Sequence, residues 1–448
     1  MSAYTPNDAT LIRDRDQLRE FMLGRVKERD QWVIGTEHEK IGFSRPRGGR
    51  PRFHGEIEEI LLELERRGWT ATRERSSDPT SSGLGPIISL HQDKASVTLE
   101  PGGQLELSGA PLRTLSACDQ EARDHLNLLR EISEPMGIIW SGLGTDSTPP
   151  ASTPQMPKAR YGVMRRYLPT QGSLALHMMH STCTIQCNLD YSSEEDAMRK
   201  LRASLYLQPI VMAMFANSFA LDHLLRSGNC ARSTIWLNTD SKRYLYPAEW
   251  LKEGTPLMSY VDWALKVPMF FIARDGEYLD CAGLPFERFL KEGFEGHQAT
   301  MGDFELHLST LFPDARLKQH LEVRGADMSS PEYITALSAF HVGLLYDDQQ
   351  LERCLDLFGD ISADQLWSAR AQVDEQGLKT ELGGKPLSQW GVELIELSTE
   401  GVSRWEEGAE RFLAPLFERV SQGLTPADEN RRLWDLGYIQ LLEGTRIS

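Results

Sequence analysis

The sequence predicts an α+β fold built on an antiparallel sheet. Segments alternating with period two are interspersed with amphipathic helical stripes, with no regular βαβ order. The alternating segments carry one apolar and one polar face, the pattern of a sheet packed on one side and wet on the other. Beyond Pro331 the chain reads as mostly helical to its end, without internal repeat or low-complexity stretch. The expected organisation is one domain over residues 1–448, with a mainly helical C-terminal part from about 331.

Residues 15–27 form a helical stripe through Leu18, Phe21, Met22 and Val26. A strand follows over 32–43. A helix over 56–67 aligns Ile57, Ile60, Leu61 and Leu64 and stops at Gly68. Residues 97–108 read as a hairpin around Pro101-Gly102-Gly103. Ser116 is the expected cap of a long helix reaching Ser133, and the four prolines within 147–157 mark a loop. A strand over 180–190 runs into a helix opened by Ser192-Ser193 and bent near Pro209. A last strand is expected over 317–324.

Composition narrows the partners. Lys and Arg number 48 and Asp and Glu 65, a net charge of −17 that argues against nucleic-acid partners. A nucleotide needs only local cations and a metal, so it stays open. With 40% hydrophobic and 25% charged residues the chain reads as soluble and globular. No apolar run approaches the ~18–20 residues of a membrane span. The polar start, residues 1–15, lacks signal or transit character, so the expected compartment is the cytoplasm. Six cysteines without a C-x-x-C pair read as reduced thiols. Cys183 and Cys187 are placed with Ile185 and Leu189 on an apolar face, as structural thiols.

The chemistry lies in the polar faces. Glu37 and Glu39 share one face of their strand. In the hairpin, Thr98, Glu100, Gln104, Glu106 and Ser108 oppose Val97, Leu99, Leu105 and Leu107. His180, Thr182, Thr184, Gln186 and Asn188 form a third polar row, and His320, Glu322 and Arg324 a fourth. A merely wet face would mix lysines with such residues. Here five carboxylates stand with few lysines beside them, and a divalent cation relieves their repulsion. Arg324 suits a phosphate through its two-pronged guanidinium, or else forms a structural pair with Glu322. No Walker-type or Rossmann glycine motif is present.

Six runs carry a resemblance: 33–43 (VIGTEHEKIGF), 99–111 (LEPGGQLELSGAP), 156–161 (MPKARY), 178–190, 232–240 and 321–327 (LEVRGAD). In these the chain resembles the plant-type glutamate–cysteine ligases, which also occur in proteobacteria. The resemblance implies a glutamine synthetase-like fold, a curved antiparallel sheet forming a funnel flanked by helices. It implies that ATP, as co-substrate, and two or more magnesium ions lie against the polar face. Carried over, Glu37, Glu39, Glu100, Glu106 and Glu322 match metal positions, Gln186 a nucleotide position and Arg324 the catalytic phosphate-side arginine. Arg232 and Trp236 match the substrate pocket, and Arg160, Tyr161, Arg165 and Arg166 a segment near the amino-acid sites. Plant members also carry a cysteine pair forming a regulatory disulfide. Cys281 matches one member, but its partner position falls near Gly296, and no cysteine separates Cys281 from Cys354.

The implied reaction activates glutamate through γ-glutamyl phosphate for attack by the amine of cysteine, the first step of glutathione biosynthesis. The implied partners are these small molecules, with no nucleic acid and no membrane, in a monomer or homodimer. A ligase with a different amine acceptor, or a non-catalytic nucleotide-binding protein on the same scaffold, are the alternatives.

Overall fold

The computed structural model describes residues 8–74 and 85–447, so the first seven residues of the polar start lie outside the described residues. Among the described residues nine strands form one antiparallel sheet. They are β1 (Ile34–Ser44), β2 (Thr70–Arg73), β3 (Ile87–Gln92), β4 (Ala95–Leu99), β5 (Leu105–Ser108), β6 (Ile138–Ser141), β7 (Thr184–Leu189), β12 (Ala315–Leu317) and β13 (Leu321–Asp327). Among the described residues three small hairpins lie off it: β8 (Ala220–Leu221) with β9 (Leu224–Leu225), β10 (Phe271–Arg274) with β11 (Glu277–Asp280), and β14 (Glu381–Leu382) with β15 (Lys385–Pro386). The sheet order is β12-β13-β7-β1-β5-β4-β3-β2, and β6 pairs with the far end of β1.

Register decides which polar rows meet. Directly opposed residues of an antiparallel pair project to the same face. Glu37 opposes Gln186 and Ser108, Glu39 opposes Glu106, Thr98 opposes Glu106, and Glu322 opposes Asn188. Four separate sequence segments thereby contribute to one polar surface. The other face is apolar and covered by helices Leu115–Ser133 and Pro331–Leu345, with helix Glu194–Met214 packed along β12 and β13. Helix Leu387–Trp405 lies behind Pro331–Leu345 as a second layer. Within the covered face Lys40 is fully buried. Its ammonium donates to the His38 carbonyl (3.2 Å) and lies 3.1 Å from both His38 Nδ1 and His125 Nε2. Burial pushes Lys40 down to about 7.

Several expectations are corrected. The first helix is Asp16–Leu23, ending at Gly24, and Val26 is exposed rather than on the buried stripe. Helix Leu115–Ser133 is capped by Thr114, whose Oγ1 accepts from the Ala117 amide (3.2 Å), while Ser116 bonds Glu406. His180 belongs to helix Ala175–Ser181, so the third polar row starts only at Thr184. The expected strand 317–324 is a hairpin turning at 318–320, where the Lys318 amide donates to the His320 carbonyl (2.8 Å). His320 sits in that turn, outside the strand.

Candidate active site

The polar face floors a cavity of about 200 Å³. Glu37, Glu39, Glu100, Thr184, Gln186 and Arg324 line it from the sheet side, Arg232, Trp236 and Leu308 from helices, and Phe312 from the loop after helix Met301–Ser309. Asn188 Nδ2 donates to Glu37 Oε1 (2.7 Å), and the Thr184 amide donates to Glu39 Oε2 (3.1 Å). Glu106 is fully buried beneath, accepting from Thr98 Oγ1 (3.0 Å) and Ser108 Oγ (3.2 Å). Burial, reinforced by Glu322 and Glu106, pushes Glu37 up to about 7. Burial, reinforced by Glu100 and Glu106, pushes Glu39 up to about 8. Carboxylates that hold protons near neutrality lack countercharge.

Among the described residues no three His, Cys, Asp or Glu side chains are gathered closely enough to hold a metal ion. The donor set nevertheless fits magnesium. It consists of carboxylate oxygens on one wall of one cavity, with two groups destabilised as anions, a state that a hard divalent cation reverses.

Glu322 is different, because three cations neutralise it. Arg316 Nη2 lies 2.6 Å and 2.9 Å from its two oxygens, Lys318 Nζ lies 2.6 Å from Oε2, and Arg324 Nη1 donates to Oε1. Although burial opposes ionisation, Arg316, Lys318 and Arg324 hold this carboxyl well below the usual range. The structural Arg324–Glu322 pair therefore exists, and Arg324 also donates to Gln186 Oε1 (2.8 Å) while facing the cavity. Arg316 and Lys318 were missed in the sequence. The three-residue strand β12 is too short to show alternation, yet the Arg-x-Lys pair six and four residues before Glu322 was the available signal.

Helix Ala231–Leu237 brings Arg232 and Trp236 to the cavity. Arg232 donates through Nη2 to the Arg324 carbonyl (2.9 Å) and through Nη1 to the Gly325 carbonyl (3.2 Å), while its buried Nε has no partner. Both guanidiniums lie near the Trp236 ring, Arg232 at 5.7 Å and Arg324 at 5.9 Å from its centroid. Phe312 packs against that ring at 5.4 Å. The structure does not bring Arg160, Tyr161, Arg165 or Arg166 to the cavity wall, and Met164 represents their helix there. Arg160 and Tyr161 are buried behind it, Arg165 donates to Gln155 Oε1 (2.7 Å), and Arg166 pairs with Asp280 on the surface. The reason is helical geometry, since a stretch of adjacent residues cannot face one side together.

A sheet-borne carboxylate face opposed by arginines is the arrangement the resemblance implied, and comparison decides the family. The model of Glutamate-cysteine ligase family 2 (GCS2) matches residues 33–443. The chain belongs to this family. Its members are ATP-dependent ligases, and ATP is the co-substrate. The chloroplastic glutamate–cysteine ligase of Medicago truncatula is 40% identical over 425 residues, covering 94% of this chain and 82% of the relative. That of Arabidopsis thaliana is 40% identical over 420 residues, covering 93% and 78%. Among solved structures, the glutamate–cysteine ligase of Francisella tularensis in complex with AMP has the same fold at 13% identity. The TM-score is 0.55, with 92% of this chain and 87% of that one covered. The expected fold class, an antiparallel sheet flanked by helices, is borne out.

The expected cytoplasmic compartment is overturned. The similar plant relatives are named as chloroplastic enzymes, not cytoplasmic ones. Net charge and buried thiols suit either aqueous compartment, so composition had no means of separating them. Among the described residues no helix is long and apolar enough to cross a membrane.

Proposed function

We propose that this chain joins the γ-carboxylate of L-glutamate to the amine of L-cysteine at the expense of ATP, giving γ-glutamylcysteine for glutathione synthesis. The meeting of an unneutralised carboxylate wall with fixed arginines in one cavity carries the assignment. The γ-carboxylate oxygen attacks the γ-phosphorus of ATP, releasing ADP and forming γ-glutamyl phosphate. The cysteine amine, after losing a proton, attacks the acyl carbon and expels phosphate.

Glu37, Glu39, Glu100, Glu106 and Glu322 would hold two or more magnesium ions, which supply charge neutralisation at the phosphate oxygens when bound. Arg324, fixed between Glu322 and Gln186, stabilises charge on the transferring phosphoryl group. Gln186 faces the nucleotide. Arg232 presents its unpartnered Nε to a substrate carboxylate beside Trp236. Residues 1–448 act as one catalytic domain, in a monomer or homodimer.

The test is ADP release with glutamate, with and without cysteine and against a panel of other amines. Release that requires cysteine, with γ-glutamylcysteine as product, is the expected result. Turnover with another amine alone would move the acceptor assignment. No release with any acceptor would remove the activity.

A further inference from the structure

We infer that Lys158 and Tyr161, seconded by Arg50, are positioning residues that clamp the turn carrying Glu100. The inference rests on the reading of this cavity as the metal and nucleotide site. Glu100 differs from the other carboxylates because it stands on a turn. Strand β4 ends at Leu99, and the β3–β4 register stops at Ser89 opposite Thr98. The backbone carbonyls around Glu100 are buried, and buried carbonyls require donors.

Side chains supply those donors. The Leu99 carbonyl accepts from both Lys158 Nζ (2.9 Å) and Tyr161 Oη (2.5 Å). The Gly102 carbonyl accepts from Arg50 Nη2 (2.7 Å), and Arg50 is held in turn by Asp146 through Nη1 (2.7 Å). Gln104 closes the turn from within, accepting from the Gly102 amide (3.0 Å) and donating to the Thr182 carbonyl (3.0 Å). Packing completes the constraint, since a Cβ on Gly102 would lie 2.4 Å from the His180 carbonyl oxygen. Lys158, Tyr161 and Arg50 are all buried, and none lines the cavity. Burying an ammonium is unfavourable unless it is well bonded, and among the described residues Lys158 Nζ donates to this one carbonyl. The basic segment ahead of the cavity thus acts on Glu100 through backbone rather than on substrate.

Two donors on one acceptor give a distinctive signature. Lys158→Met or Tyr161→Phe alone leaves the Leu99 carbonyl one partner, whereas the double variant leaves it none. Each single variant should weaken magnesium–ATP binding, measured by calorimetry, less than about threefold, and the double variant about tenfold or more. Amide exchange at Glu100 and Gly103 in the ligand-free chain should quicken in the double variant only. KM for glutamate and cysteine should stay unchanged.

Effects that simply multiply, or exchange that does not move, would overturn the clamp. So would a rise in amino-acid KM in Tyr161→Phe with magnesium–ATP binding intact, which would make Tyr161 a substrate contact. Lys158→Gln in place of Lys158→Met provides a second double variant if the first misfolds. A wild-type chain that binds magnesium–ATP but forms no product would defeat the proposed function, while exchange and binding still decide the clamp.

Discussion

At the scale of single residues, the carboxylates of the cavity divide by countercharge. Glu37 and Glu39 are raised to about 7 and about 8 from an ordinary 4.5, chiefly by burial. The folded, magnesium-free chain therefore holds more protons than the unfolded chain between these values, and its stability falls as pH rises through that window. We expect the thermal midpoint to drop from about pH 6 to about pH 9 and magnesium to restore it. Glu37→Gln should flatten that pH dependence and abolish turnover. A magnesium-free midpoint that rises with pH would contradict the assignment. Glu322→Gln should behave oppositely, costing about 3 kcal/mol because Arg316, Lys318 and Arg324 lose their shared anion. Denaturant titration of the two variants distinguishes them. The five glutamates were legible because strand period two sorts them by face. The cations on Glu322 were not, because their contacts depend on a hairpin turn at 318–320.

At the scale of elements, the bulge in β13 joins sheet to substrate helix. The register with β7 shifts between Val323 and Ala326, and Arg232 bonds the two carbonyls exposed there. Arg232→Lys keeps the charge but loses the fork. It should raise the glutamate or cysteine constant more than that of ATP, and a collapse of ATP affinity alone would move Arg232 to the nucleotide side. Gly325 lies against helix Glu194–Met214, where a Cβ would come within 1.9 Å of Gln208 Oε1 and 3.4 Å of the Met212 terminal methyl. Gly325→Ala should cost about 1–3 kcal/mol by overpacking, read by denaturant titration, and lower activity by displacing Arg324. Strand β1 and the β4–β5 hairpin were legible from alternation. The start of β7 was not. Thr182 Oγ1 bonds the Met178 carbonyl (2.7 Å), an i to i−4 contact that closes helix Ala175–Ser181, and a polar alternating row fits that helix end equally well.

At the scale of the whole molecule, all six thiols are free and buried, and burial pushes Cys281 up to about 12. A protonated, buried thiol is a poor nucleophile for disulfide exchange. Mild oxidation and dithiol reduction should therefore leave the rate unchanged, and non-reducing peptide mapping should find no bridge containing Cys281. A reversible several-fold change tracking such a bridge would refute this. By itself the sequence determined the antiparallel α+β class, the face each glutamate occupies and the family, because these follow from local periodicity and from long unusual runs. Only the tertiary structure decided that Glu322 is already neutralised, that Lys158 and Tyr161 bond the Leu99 carbonyl instead of lining the cavity, and that β13 bulges under Arg232. Those facts depend on which distant donor reaches which acceptor, and the spacing of residues along a chain does not encode the register and packing that bring them together.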